Sequence, residues 1–343
     1  MSGNPQKLKL LYLMKLFGEE TDEVHGVTMN RILEYLSERG ISAERKSVYR
    51  DIHTLREFGF DVRVFHRLPD EYALANRLFT LSEIMLMIDA VQGSQFLTKK
   101  TSDRLVKTLK TFASKHDRKG LDKAVHVHRR VKSQNDSALS NVDVIQQALT
   151  QKRKVRFRYF SYDGNKQKAL RHEGRWYEET PVQVVFSEGR YYLVAYNEKH
   201  ESFVHYRVDR MIDVEASEAP RVRNEAVASY NVRELEDRAF GMYAGEAVPV
   251  TFSVDESLMD VVVDRFGKDV VTAKLPDGRA SVHTTVLRSP VFYGWLAQLG
   301  DKVTIEIPQW LAEDYQQHLR DILAMYEQKP AERPSLPGVE LSE

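Results

Sequence analysis

The chain has 343 residues and balances 50 Lys and Arg against 50 Asp and Glu, so its net charge argues neither for nor against a nucleic-acid partner. It has no cysteine, which excludes a disulfide scaffold, thiol catalysis and cysteine-ligated zinc and fits a reducing cytoplasm. No apolar run is long enough to span a membrane, and the apolar N-terminal section lacks a small-residue cleavage site.

Leu10, Leu13, Met14 and Phe17 fall on one face of a first helix. Residues 18–26 read as an acidic loop. Thr28 caps a second helix with an inner face of Met29, Ile32, Leu33 and Leu36, and Gly40 ends it. Ser42 is expected to cap a third, with Val48, Ile52, Leu55 and Phe58 inside and Lys46, Tyr49, Arg50 and His53 outside. Alternation over Phe60 to Phe65, a turn at Pro69-Asp70 and Tyr72-Ala73-Leu74 then give a two-stranded ribbon. Three short helices and a ribbon are the layout of a winged helix-turn-helix domain, here 1–76. The segment ERKSVYRDIHTLREFGFDV resembles the recognition helix of DeoR-like winged-helix regulators through Tyr49-Arg50-Asp51-Ile52. That resemblance implies duplex DNA as partner, met by Ser42, Arg45, Lys46, Ser47, Tyr49, Arg50 and His53. Against it, residues 1–66 are close to neutral, and any exposed helix carries Lys and Arg.

Thr80-Leu81-Ser82-Glu83 fits a capping box for a helix with Ile84, Met85, Ile88 and Val91 on its stripe. Leu105, Leu109 and Phe112 mark another helix. Residues 77–140 are therefore expected to form a helical linker that also helps pair two subunits as a homodimer. Between Lys99 and Lys132 about a dozen basic residues face about three acids, so Lys115 to Ser140 reads as an exposed basic connector. His126 and His128 share a strand face there, but no third ligand has a recognisable spacing, and no metal or cofactor is expected.

A helix over Val142 to Leu149 leads into the centre, residues 141–218. Val155, Phe157 and Tyr159 alternate along a strand, and Tyr162-Asp163-Gly164-Asn165 suits a hairpin turn. Arg175 to Phe186 is strand material around Pro181, and Glu188-Gly189 turns into YYLVAY. In the next strand Val204, Tyr206 and Val208 point one way, and His205, Arg207 and Asp209 the other. Five or six short twisted strands after one helix suggest a small closed barrel.

YYLVAY, a polar turn and HYRVDRM resemble the signature of WYL-domain transcription regulators, with Tyr191-Tyr192-Leu193 in place of Trp-Tyr-Leu and Arg207, Asp209 and Arg210 as the Arg-x-Asp-Arg element. The resemblance implies an Sm/SH3-like barrel that senses an anionic ligand, a nucleotide or a short single-stranded nucleic acid. Arg207 and Arg210 would clamp a phosphate, His205 would donate when protonated, and Tyr159, Tyr191, Tyr192 or Tyr206 would stack a base. Arg207 and Arg210 face oppositely in a flat strand. Either the chain bends at Asp209, or one arginine belongs to the core or holds Asp209 in a salt bridge.

After a connector over 219–246, with a helix at Val232 to Phe240, residues 247–328 run strand, helix, strand, strand, helix, strand and helix. That is the ferredoxin-like order, and it resembles the extension attached to WYL domains. The tail 329–343 has the composition of a disordered segment.

The chain as a whole reads as a multidomain α+β regulator of transcription. No Gly-rich phosphate loop, Gly-x-Ser-x-Gly or His-Glu-x-x-His occurs, so no enzyme is expected. The alternative is an RNA-binding or scaffold protein that uses the basic middle.

Overall fold

The computed structural model describes residues 5–124, 132–230, 242 and 245–327. The expectations for His126, His128, the 232–240 helix and the 329–343 tail lie outside them.

The N-terminal unit comprises α1 (Pro5–Glu20), β1 (Val27–Thr28), α2 (Met29–Ser37), α3 (Arg45–Glu57), β2 (Val62–Phe65) and β3 (Glu71–Leu74). Its three strands lie in the order β1-β3-β2. Leu13, Leu16, Phe17, Ile32, Leu36, Val48, Ile52 and Leu55 meet in one core. α1 runs three residues, Gly18 to Glu20, into the expected acidic loop. Thr28 caps α2 as expected, its hydroxyl accepting from the Arg31 N–H. Gly40 and Gly59 take positive φ (70° and 98°) just after α2 and α3, where a Cβ is strained. Two expectations fail on α3. Glu44, not Ser42, is its N-cap and makes no side-chain cap bond. Phe58 lies one residue past the helix and is exposed, because the apolar stripe is completed by Leu55 and the chain turns at Gly59.

The linker holds α4 (Leu81–Gly93), α5 (Lys99–Lys110) and α6 (Lys115–Ala124). The Thr80 capping box is present with both of its reciprocal bonds. Ile84, Ile88, Val106, Ala113 and Leu121 form a small core, so the segment expected as an exposed basic connector begins as a helix with Leu121 buried. Arg77 bridges linker and N-terminal unit, donating to the carbonyls of Phe112 (3.1 Å), Gly18 (3.0 Å) and Thr21. Asp22 accepts from Ser114 (2.8 Å), and the rings of His25 and His116 stack with centroids 4.0 Å apart.

The central unit is α7 (Ala138–Gln151) against β4 (Arg153–Tyr162), β5 (Lys168–Leu170), β6 (Tyr177–Ser187), β7 (Arg190–Asn197), β8 (Ser202–Arg207) and β9 (Met211–Pro220). The sheet order is β5-β4-β6-β7-β8, with β9 also on β4. Among the described residues no ladder joins β8 to β9, so the expected closure is replaced by a 3₁₀ turn, Val208–Arg210, between them. Glu188 and Gly189 both have positive φ (50° and 77°), the geometry of a two-residue hairpin turn.

After a short helix α8 (Glu225–Ser229), the C-terminal unit comprises β10 (Ala247–Asp255), α9 (Met259–Phe266), β11 (Val271–Lys274), β12 (Arg279–Leu287), α10 (Pro290–Gln298), β13 (Val303–Ile307) and α11 (Gln309–Glu327). Its antiparallel sheet has the order β11-β12-β10-β13 over a core around Phe252, Phe292 and Leu296. The whole is a mixed α+β chain of several sheets. No described helix is long and apolar enough to cross a membrane.

Candidate functional site

The β7–β8 hairpin fixes the site by register. Tyr192 pairs with Arg207 and Val194 with His205, and residues two apart share a face. Arg190, Tyr192, His205 and Arg207 therefore stand on one side of the hairpin. Tyr206 stands on the other, inside the core with Phe157 and Val155.

The 3₁₀ turn at Val208–Arg210 ends the alternation. Asp209 is buried, and Arg207 grips it twice, Nε to Oδ1 at 3.1 Å and Nη2 to Oδ2 at 2.7 Å. Burial alone would lower the Arg207 pKa, but the Asp209 carboxylate beside it raises it overall. Both offered alternatives thus hold: the chain bends at Asp209, and Arg207 keeps it in a salt bridge. The turn is tied down from α7 and the segment before it. Asn135 donates to the carbonyls of Asp209 (3.1 Å) and Met211 (2.9 Å), and Asn141 donates to that of Met211 (3.0 Å).

Arg210 and Arg190 are different. The Nε of each is buried without a hydrogen-bond partner, and neither has an acid partner among the described residues. An unsatisfied buried donor costs about 1–3 kcal/mol, and a bound anion would remove that cost. Two cavities meet at these arginines, both lined by Arg190, Arg207 and Arg210. One, of about 590 Å³, adds Arg171, Tyr192, Phe203 and His205. The other, of about 790 Å³, adds Tyr162, Lys166 and Lys168, with Gln95 and Gln134 from the linker side.

His205 holds its ring by Nδ1, 2.9 Å from the Met242 carbonyl. A carbonyl only accepts, so Nδ1 carries the proton and Nε2 is a bare acceptor, buried and unpartnered. Burial lowers its pKa, with the Met242 carbonyl opposing, which disfavours the protonated form from which donation was expected.

The expected stacking residues separate. Tyr206 is buried with its hydroxyl 2.9 Å from Glu179, so its ring is unavailable to a ligand. Tyr159 lines the smaller cavity, but its hydroxyl accepts from the Arg207 N–H (3.1 Å) and its ring is packed among Phe157, Tyr177 and Tyr206. Tyr191 packs on Phe96 and Phe186 and lines neither cavity. Tyr192 lines the smaller cavity beside Arg207. Sequence reasoning missed Arg190, Arg171, Lys166, Lys168 and Tyr162. Arg190 was legible by parity with Tyr192. The hairpin lysines lay outside any motif.

On α3, Arg45, Lys46, Tyr49, Arg50 and His53 are exposed, as is Ser42 before it. Ser47 is not part of that surface. Its hydroxyl accepts from Lys9 (2.6 Å), whose buried ammonium also pairs with Asp51 at 2.8 Å. Arg45 leans on the Asn30 carboxamide (2.6 Å) and His53 on Glu57 (3.5 Å).

No group of three or more His, Cys, Asp or Glu suited to a metal occurs among the described residues.

The small curled sheet thus carries two arginines without carboxylates where two cavities meet. The chain carries a WYL domain over residues 140–216 and a WCX domain over residues 246–323. The first spans YYLVAY and HYRVDRM, the residues on which the resemblance rested. Among solved structures the chain is similar to proteasome accessory factor B/C (PafBC) of Arthrobacter aurescens, at 18% identity and a TM-score of 0.27, over 99% of this chain and 50% of that one. The chain thus spans half the length of that protein. It is also similar to a CRISPR Cas-related protein, at 12% identity and a TM-score of 0.35, over 72% of each chain. No curated protein matches it.

Proposed function

We propose that this chain is a DNA-binding transcription regulator whose WYL domain senses an anionic ligand, a nucleotide or single-stranded nucleic acid. The observation that carries the sensing half is the pair of buried, unpartnered Nε groups of Arg190 and Arg210 where two cavities meet. Guanidinium groups without carboxylates are the usual partners of phosphate. Tyr192 and Phe203 supply apolar faces beside them, and the bare Nε2 of His205 takes a donor from the ligand.

The DNA-reading half rests on the N-terminal unit. Its element order and β1-β3-β2 sheet support a winged helix-turn-helix, in which α3 enters the major groove. We read Arg50 as the residue that reaches base edges, with the exposed Arg45, Lys46, Tyr49 and His53 around it. We read the central unit as an Sm/SH3-like barrel and the C-terminal unit as ferredoxin-like, the latter from its β11-β12-β10-β13 order. A homodimer would present two copies of α3 to a two-fold operator. No bond-breaking chemistry is assigned, and pure protein should not turn over nucleotides.

Selection from a random duplex pool with the full chain tests the reading. A two-fold consensus should emerge, and Arg50→Ala should cost about 1–3 kcal/mol of specific binding. Absence of any duplex preference, with Arg50→Ala silent, would move the chain to the RNA-binding or scaffold alternative.

A further inference from the structure

We infer that α4 is a lever between the ligand turn at Val208–Arg210 and the N-terminal unit, and that residues 132–135 are the clasp that joins the turn to it. The inference rests on the reading of the central unit as a sensor and of the N-terminal unit as a DNA reader. It adds to that reading the positioning residues through which one answers to the other.

The clasp divides its polar groups between two sides. Lys132 and Ser133 hold the linker. The Lys132 ammonium donates to the carbonyls of Val91, Gln92 and Ser94 and to the Ser102 hydroxyl, at 2.7 to 3.1 Å. The Ser133 N–H donates to the Leu97 carbonyl (3.3 Å). Gln134 and Asn135 hold the central unit. The Gln134 carbonyl accepts from the Lys168 ammonium (3.2 Å), and the Asn135 carboxamide donates to the carbonyls of Asp209 and Met211. Its own oxygen accepts from the Ser137 N–H (3.0 Å), so both ends of this buried carboxamide are committed. The two carbonyls it holds belong to the residues on either side of Arg210, the arginine left without a carboxylate. An anion that draws Arg210 toward it therefore pulls on Asn135. Three peptide links span at most about 11 Å, so the turn and the end of α4 are held at short range.

The lever is clamped at both ends. Val91 and Gln92 lie in the last turn of α4, and Ser94 is its C-cap. Carbonyls at a helix C-terminus lack partners within the helix and carry its negative pole, so an ammonium there is a cap. The other end starts four residues after Arg77, whose guanidinium donates to the carbonyls of Gly18 and Thr21 in the N-terminal unit and of Phe112 in the linker. Between the clamps α4 is 13 residues long, about 20 Å of helix. It has no proline, and its one glycine is its last residue, Gly93, so nothing in its sequence kinks it. Ile84 and Ile88 are buried along it. A displacement at the clasp arrives at Arg77.

Fluorescence anisotropy of the full chain on a labelled consensus duplex, with and without a saturating thymidylate decamer, tests the clasp. In the wild type the single strand should change duplex affinity at least about fivefold. Lys132→Met keeps the aliphatic stem and removes the donors. It should bring that factor close to one, with the affinities for duplex alone and for single strand alone within about threefold of wild type. Lys132→Arg, which restores donors, should recover most of the coupling. A merely structural Lys132 would lower the melting temperature and leave the factor unchanged, an outcome that overturns the clasp and leaves the functional reading standing. A folded Lys132→Met that loses more than about tenfold in single-strand affinity would place Lys132 in the ligand site and overturn the clasp as well. If Lys132→Met does not fold, amide exchange on the wild type decides. The single strand should alter exchange at both 207–211 and 88–94, and a change confined to 207–211 overturns the lever. If the wild type binds single strand and duplex without coupling, or binds neither, the sensor reading fails and the lever with it.

Discussion

The central unit carries two sets of cations that look alike in sequence and behave differently in the fold. Along β4, Lys154, Arg156 and Arg158 point outward, and each has a carboxylate: Glu198, Glu215 at 3.3 Å, and Asp213. Trp176 packs against both arginines of this row, 4.9 and 5.7 Å from its ring. At the hairpin, Arg190 and Arg210 are partly buried and have no carboxylate. Both sets are half-buried, but the first is neutralised and the second is bare. A basic stretch is therefore no guide to where an anion binds; what matters is which cations the fold leaves unmatched. The difference also weakens the RNA-surface alternative, since the most regular part of the basic middle is already paired.

The largest effect that would break the comparison is at the bare pair. Arg190→Ala/Arg210→Ala should reduce nucleic-acid affinity about 100-fold or more, at the lower end of the roughly 2–5 kcal/mol expected for losing sheltered charge contacts. Calorimetry would read it, with thermal unfolding close to wild type. Next comes the one matched arginine of the site. Asp209→Asn strips Arg207 of its carboxylate and should destabilise the chain by about 1.5–3 kcal/mol, as for a hydrogen bond to a charged group, seen as a lower urea midpoint.

Glu179 is the mirror case, a carboxylate without a cation of its own. It accepts from Tyr206 and Asn197, both at 2.9 Å, and burial raises its pKa. A raised carboxyl pKa means that the folded chain loses stability as pH rises from about 4.3, the unfolded value, through the folded one. Glu179→Gln keeps the acceptor oxygen and removes the charge. It should raise the melting temperature at pH 8 and leave it unchanged near pH 4. The smallest effect belongs to the matched row. Arg158→Ala should cost only about 0.2–1 kcal/mol of stability, the range for exposed pairs, and leave nucleotide affinity unaltered. A tenfold loss of affinity there would erase the distinction.

Much of this fold was legible in local chemistry. Thr28, Thr80 and Ser289 cap helices where polar residues precede apolar periodicity, and Glu188-Gly189 turns the hairpin that the alternation predicts. What failed depended on partners distant in sequence. Ser47 looks like a surface residue until the buried Lys9 of α1 claims it. Asp209 looks like the third member of an exposed row until the 3₁₀ turn folds it inward. Arg190 reads as the end of a turn, and its parity with Tyr192 gains meaning only once Tyr192 is paired with Arg207.

Lys132 fastens two parts of the chain together. It precedes α7, yet its ammonium plugs the carbonyl end of α4 through Val91, Gln92 and Ser94, and Asn135 three residues on grips the turn that carries Arg210. A single protease cut between Ala124 and Lys132 should therefore not release the N-terminal unit and α4–α6 from the rest of the chain. The two fragments should elute together, and only Lys132→Ala or high salt should let them part.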